Sequence, residues 1–351
     1  MVKGTLKIVY MGTPEFAVAP LKALLEAGYD IPAVVTVPDK PKGRGLQLAQ
    51  SDVKRFVLSY NETIGSANQI SDTSDSSYTK GIIDILQPEK LRDELFLQRL
   101  KSYNADLFIV VAFRMLPECV WSMPPLGTFN LHASLLPKFR GAAPINWAII
   151  RGESETGVTT FLLDEQIDTG GILLQQSCAI GEREDVGSLY GRLMDMGAHL
   201  TLKTVEGLAN GTITPKPQDM TILQDCPNCS NAPKLNRENC SIDWTKSPCE
   251  IDALVRGLSP YPCATTALSF ETSNGELVIE AKIFRTEIPE TTCLTNGATQ
   301  QSRSVGKAHI KNGELYVECG NGFVKIIELQ PSGKKRVGAK EFINGIINRL
   351  K

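Results

Sequence analysis

Long apolar runs are missing from this sequence, and so is a dominant charge of either sign. No segment approaches the roughly 18 to 20 apolar residues that a membrane-crossing helix needs, which points to a soluble protein with no membrane partner. The 37 basic and 39 acidic residues leave a formal charge of −2, so a polyanionic partner would have to be held by local patches rather than by a global field. Aromatic residues make up only 7% of the chain and there are only 3 histidines. The G-x-G-x-x-G fingerprint is absent from the first strand–turn–helix, which disfavours a dinucleotide-binding domain but leaves a doubly wound sheet open. Cysteine is present without a framework. The 9 cysteines are odd in number and scattered, with no signal peptide ahead of them, which fits free thiols in a reducing cytoplasm.

What is present suits two domains, since 351 residues with 42% hydrophobic content exceed one typical core. Residues 5–11 read as a buried strand, Thr13 as a helix N-cap after the Gly12 turn, 17–27 as a helix ended by Gly28, and 31–37 as a second strand. A β-α-β start implies a parallel sheet with right-handed crossovers. Prolines and glycines in 38–51 exclude a regular element there, while Lys40, Lys42 and Arg44 make it cationic. Residues 52–59 look helical. The polar stretch 61–81 reads as an insertion in a surface loop. Residues 88–102 form an amphipathic helix, and 105–113 the most apolar strand, followed by Arg114. Beyond 242 the texture changes to short strands separated by turns, the pattern of a small OB-type β-barrel, with a basic turn at Lys334, Lys335 and Arg336. The division is a domain over 1–214 with insertions at 38–51 and 61–81, a linker over 215–236, and a second domain over 237–351.

The densest polar chemistry inside an apolar run lies in 128–144. Side chains alternate faces along a strand, so Asn130 and His132 share one face while Leu131 packs into the opposite layer. An amide can donate to a developing oxyanion, and an imidazole can take or give a proton near neutrality. A histidine on a strand is about as often a hydrogen-bonded core residue. The segment ends in Ser134-Leu135-Leu136-Pro137 and a cationic turn through Lys138 and Arg140. Further on, Asp168 precedes a Thr-Gly-Gly turn; Asp164 and Glu165 are close competitors, and an aspartate before glycines is often only a turn former.

The run N-L-H-A-S-L-L-P-K-F-R-G-A-A-P-I over 130–145, the run I-D-T-G-G-I-L over 167–173 and the opening M-G-T-P-E-F resemble the signature of the folate-dependent formyltransferases, most closely of those acting on methionyl-tRNA. The resemblance covers nearly the whole chain, failing mainly at 61–81 and around Cys226. It implies a formyltransferase-type, Rossmann-like α/β domain with a doubly wound, mostly parallel sheet, followed by an OB-like barrel that binds tRNA. It further implies transfer of a formyl group from 10-formyltetrahydrofolate, a co-substrate, to the α-amino group of methionyl initiator tRNA for translation initiation, without a metal and by a monomer. Asn130 would stabilise the oxyanion, His132 would accept or shuttle the proton, and Asp168 would orient the imidazole. Phe113, Arg114, Ser134, Leu135, Leu136 and Pro137 would line the folate site, with Arg114 standing where many members have glycine. Lys40, Lys42, Arg44, Lys334, Lys335 and Arg336 would hold tRNA, although Leu46 and Gln47 replace lysines common in that loop. Rival readings are a same-fold enzyme acting on an amino sugar nucleotide or glycinamide ribonucleotide, and an inactive RNA-binding relative.

One motif stands outside this scheme. Cys226-Pro227-Asn228-Cys229 is a C-x-x-C, but Cys240 and Cys249 beyond it do not complete the four-donor spacing of a structural zinc site. Free thiols are the expectation, with redox chemistry the alternative.

Overall fold

The computed structural model describes residues 6–42, 47–70, 81–224, 226–273, 275–289 and 305–350. The chain divides into two compact units, one of Met1–Arg140, Gly157–Ser177 and Gly191–Cys226, the other of Gly141–Thr156, Cys178–Tyr190 and Pro227–Lys351. The stretches 141–156 and 178–190, though early in the chain, belong to the second unit.

In chain order the elements begin with β1 (Lys7–Gly12), α1 (Val18–Glu26), β2 (Asp30–Val35), β3 (Lys40–Lys42), β4 (Gln47–Ala49), α2 (Asp52–Ile70), β5 (Asp84–Leu86) and α3 (Glu94–Ser102). Then come β6 (Leu107–Val111), α4 (Glu118–Trp121), β7 (Thr128–His132), β8 (Arg140–Gly141), α5 (Pro144–Ile150), β9 (Glu155–Leu162), β10 (Ile172–Ala179) and α6 (Val186–Ala209). A 7-stranded sheet runs in the order β10-β9-β7-β6-β1-β2-β5. It is parallel from β7 to β5, and β9 is antiparallel to β7. Every residue of β6, L-F-I-V-V, is buried, as a strand covered on both faces requires. On one face Val9, Met11, Val35, Phe108 and Val110 pack against Phe96 and Leu100 of α3, each such side chain stabilising the fold by about 1.5–3 kcal/mol.

Strand order reverses between β1 and β6, and doubly wound sheets bind ligands in the crevice outside the carboxyl ends at such a point. Gly12 sits there under tight constraint: a Cβ would stand 2.6 Å from that of Ala17. His132 ends β7, the next strand over.

Four local expectations change. Residues 38–51 do contain regular structure, because Lys40 to Lys42 pair antiparallel with Gln47 to Ala49; the turn carrying Arg44 lies outside the described residues. The hairpin's base is tied by Lys54, whose ammonium donates to Asp39 at 2.7 Å and to Gln87 at 2.8 Å. Second, α2 continues through 61–70 instead of giving way to a loop at residue 61, and 71–80 lie outside the described residues. Asn61 misleads because its polarity serves an internal purpose: its amide gives to and takes from the main chain of Ile83, both at 2.9 Å. Third, Thr13 caps nothing. The chain enters α1 through a 3-10 turn, Glu15–Ala17, behind Pro14, and the buried Thr13 hydroxyl has no hydrogen-bond partner among the described residues. Fourth, α3 begins only at Glu94, where Asp93 accepts from the Phe96 N–H and so fixes the start.

The second unit continues with β11 (Asn231–Ala232), α7 (Pro248–Leu258), β12 (Ala264–Thr272), β13 (Gly275–Glu287), β14 (Ala308–Lys311), β15 (Glu314–Cys319), β16 (Gly322–Pro331), β17 (Val337–Gly338) and α8 (Ala339–Leu350). Its antiparallel strands follow the order β12-β13-β16-β15-β14, with β17 on β16. A bridge from Ser269 to Lys307 brings the first of these strands back to the last, giving an OB-like half-barrel. Alternate residues of β15 and β16, including Leu315, Val317, Val324 and Ile326, meet Ile251 and Val255 of α7 and Phe342 and Ile343 of α8. Ser247 and Glu250 form a capping box at the start of α7. Beneath that helix the buried Asp252 carboxylate accepts from Arg183 at 2.9 Å, Arg256 at 2.8 Å and Thr286 at 2.8 Å.

The free-thiol expectation holds for Cys119, Cys178, Cys240, Cys249, Cys263 and Cys319, while Cys226 and Cys229 are disulfide-bonded. A two-residue spacer at a 3-10 turn brings the two sulfurs together locally. No described helix is long and apolar enough to cross a membrane.

Candidate active site

β7 runs antiparallel to β9 with Asn130 opposite Phe161 and His132 opposite Thr159. Asn130 is half-buried and His132 buried. The imidazole stands edge-on to the Phe161 ring, with 6.5 Å between centroids. Its Nε2 lies 2.8 Å from the carbonyl oxygen of Phe139. A carbonyl can only accept, so this contact places the proton on Nε2 and leaves Nδ1 with a lone pair. Nδ1 faces the Asp168 carboxylate at 3.9 Å. That gap is too long for a hydrogen bond and short enough for strong attraction once Nδ1 is protonated.

Asp168 is reached through a loop whose shape only its glycines allow. It has a left-handed backbone, φ 56°, and a Cβ on Gly170 would overlap the Leu162 carbonyl. The Gln218 amide donates to the carbonyls of Asp168, at 2.8 Å, and Gly170, at 3.0 Å. Arg140 donates in turn to the Gln218 oxygen at 2.6 Å. No local pattern exposes Gln218 to a sequence reading, since its partners lie about fifty residues away. Thr159 escapes for the same reason: it donates to the Ser134 carbonyl at 2.6 Å and accepts from the Leu136 N–H at 3.2 Å. The turn after β7 is thereby fixed.

The residues expected to line a folate site divide by accessibility. Ser134, Leu136 and Pro137 are buried, and the Ser134 hydroxyl donates to the Lys138 carbonyl. Leu135 is half-buried, as are Phe113 and Arg114, which follow β6 at the strand-order reversal. The Arg114 guanidinium lies over the Phe113 ring at 5.5 Å and donates to the carbonyls of Pro88 and Glu89. Its cation is therefore engaged with the main chain.

Of the expected tRNA contacts, Lys40 is exposed on β3, Lys42 lies on the same strand, and Arg44 is outside the described residues. In the second unit Lys334 and Lys335 are exposed between β16 and β17. Arg336 differs from them, being paired with both oxygens of Glu328 at 2.7 and 2.6 Å and stacked 4.1 Å above the Phe284 ring centroid. A cavity of about 440 Å³, lined in part by Arg237, Lys282, Ser332 and Gly333, adjoins this turn.

A doubly wound domain carrying an amide, a tautomer-fixed imidazole and a carboxylate near its strand ends defines an enzyme of group transfer, and comparison with known proteins gives the group. Residues 6–205 match the formyl transferase family model and 234–346 that of the formyl transferase C-terminal domain. A methionyl-tRNA formyltransferase from Flavobacterium johnsoniae is 45% identical over 97% of this chain and 96% of its own length. One from Bacteroides thetaiotaomicron is 43% identical over 98% of this chain and 97% of its own. In fold, the chain resembles an N-formyltransferase from Helicobacter canadensis solved with folinic acid and dTDP-3-aminofucose, with a TM-score of 0.57, 18% identity and coverage of 95% of this chain and 100% of that one. The chain belongs to the formyl transferase family, in the group of methionyl-tRNA formyltransferases.

Proposed function

We propose that the protein transfers the formyl group of 10-formyltetrahydrofolate to the α-amine of methionyl initiator tRNA, as a cytoplasmic monomer serving translation initiation. The observation that carries the reading is the state of His132: Phe139 holds the Nε2 proton, so Nδ1 is a ready base directed toward Asp168. The amine attacks the formyl carbon, and Asn130 donates to the oxyanion that forms. His132 takes the proton released by the attacking nitrogen, and the imidazolium is held by Asp168. Collapse breaks the bond to the folate nitrogen, which receives that proton. The transfer requires no metal, because Asn130 supplies the oxyanion donor and His132 the base. Phe113, Leu135 and the backbone around Arg114 line the folate side, and the buried Ser134, Leu136 and Pro137 give it shape. Lys40, Lys42, Arg44, Lys334 and Lys335 hold tRNA phosphates, while Arg336 sets the turn that presents the last two.

The test is formyl transfer to methionyl initiator tRNA, run beside elongator tRNA and free methionine. Product on the initiator alone supports the reading; folate consumption without product on any tRNA moves the acceptor to a small amine or water. Affinity for tRNA should fall with salt, and changing Lys334 and Lys335 together to alanine should reduce the logarithmic salt slope by about 2.

A further inference from the structure

The C-x-x-C segment gains a third donor that its own neighbourhood in the sequence does not offer. Cys240 and Cys249 do not join it; Glu153 does, and one ligand atom from each of Glu153, Cys226 and Cys229 lies within 4.8 Å of the others. The Cys229 sulfur and a Glu153 oxygen are 3.1 Å apart. Both residues belong to the second unit, and Cys226 is fixed to Cys229 by their shared disulfide.

The chain around these donors is firmly held. Glu153 follows α5 through Gly152, whose φ is 74°. The Gly152 N–H reaches the Ile149 carbonyl at 2.9 Å, and the Glu153 N–H reaches that of Ala148 at 3.0 Å. This is the doubly bonded helix ending that a left-handed glycine permits. On the other side, the Trp147 indole donates to the Pro233 carbonyl at 2.8 Å, and the Ala142 N–H donates to Ala232 at 2.8 Å. The lead-in and middle of α5 and residues 232–233 are thus joined before any ion arrives. Cys229 is 1% exposed and Cys226 and Glu153 are half-buried.

We propose that, once the disulfide is reduced, the two thiolates and the Glu153 carboxylate bind a thiophilic divalent cation of the zinc class, with water as the fourth ligand. Two thiolates and a carboxylate at tetrahedral reach are donors suited to zinc. Reduction by a dithiol, which ends as a disulfide, or by a phosphine with one water, which ends as the phosphine oxide, supplies two electrons and two protons and turns the S–S bond into two thiols. The ion then displaces both thiol protons. The bound ion fastens the lead-in of the second unit to the end of α5, and exchange with a small-molecule disulfide, which takes up the two electrons and leaves as two thiols, re-forms the Cys226–Cys229 bond and releases the ion.

The test is titration of the full-length chain with cobalt(II) and with zinc, in the phosphine-reduced and the oxidised states. Expected are about one equivalent in the reduced chain, with the near-ultraviolet absorption of cobalt bound to thiolate, and none in the oxidised chain. Cys226→Ser and Cys229→Ser should each abolish uptake, Glu153→Gln should weaken it roughly tenfold or more, and Cys249→Ser, at an exposed cysteine outside the cluster, should leave it unchanged. A reduced wild-type chain that takes up no cobalt overturns the proposal whatever the variants do. Equal uptake by either serine variant at positions 226 and 229, or by Glu153→Gln, overturns it as well.

Discussion

Among the aspartates that face cationic or protonatable partners, Asp252 and Asp168 are treated in opposite ways. Asp252 in the second unit is saturated, with Arg183, Arg256 and Thr286 all within 2.9 Å and its side chain 3% exposed. Asp168 in the first unit stands 3.9 Å from Nδ1 of His132, a pairing incomplete at rest. A buried carboxylate with every partner in place is structural, since withdrawing one of them leaves an uncompensated charge. A carboxylate held short of its partner gains that interaction only when a proton arrives, and in the proposed transfer it would favour the charged imidazole along the reaction more than the resting state. In the second case the main chain is held separately: the Gln218 amide donates to the Asp168 carbonyl.

This contrast is open to test, beginning where the effect should be greatest. Asp252→Ala should cost about 3–5 kcal/mol of stability, visible as a lower urea midpoint, with turnover per folded molecule unchanged. Asn130→Ala should do the reverse, raising the barrier by about 2.7–4 kcal/mol with the midpoint nearly unmoved. Asp168→Asn keeps the shape and removes the charge, so kcat should fall up to roughly a hundredfold at near-normal stability. If Asp168→Asn unfolds the protein as Asp252→Ala does, the distinction between the two aspartates fails. Gln218→Ala, losing two hydrogen bonds worth about 1 kcal/mol each, should lower kcat roughly tenfold with KM for tRNA unchanged. A shift confined to KM would remove Gln218 from the positioning of Asp168.

Much of the setting of Asp168 is legible in the sequence, and little of that of Asp252. Asn130 and His132 announce themselves by alternation within a buried strand, and Asp168 by glycines whose necessity the packing explains: there is no room for a side chain at Gly170. The Asp252 cluster joins residues 183, 252, 256 and 286, brought together only by tertiary folding, so no local period marks it. Gln218, Thr159 and Glu153 are hidden in the same way. The helix α2 was hidden for another reason. Asn61 looks like a loop former, yet it hydrogen-bonds the Ile83 main chain like a neighbouring strand, a use of polarity that composition does not distinguish from solvation. The hairpin of β3 and β4 shows that proline can sit in a short two-stranded ribbon, where Pro41 lies opposite Leu48.

The smallest expected effect comes from a third carboxylate, which repeats the chemistry of Asp252 where water can reach it. Glu328 accepts both arms of Arg336, but its side chain is 30% exposed and that of Arg336 43%. The hydrogen bonds from Arg336 hold the Glu328 carboxyl below its ordinary value of 4.5. Its folded-state value is depressed, so the stabilisation is complete above about pH 4.5 and is lost as the pH falls through the folded value. Screening by solvent limits it to about 0.2–1 kcal/mol. Arg336→Gln should therefore lower the urea midpoint slightly at pH 7 and make little difference near pH 3. An equal loss at both pH values would assign Arg336's contribution to its stacking on Phe284 instead of to the ion pair. A loss at pH 7 approaching that of Asp252→Ala would mean that exposure does not separate the two arginine–carboxylate pairs.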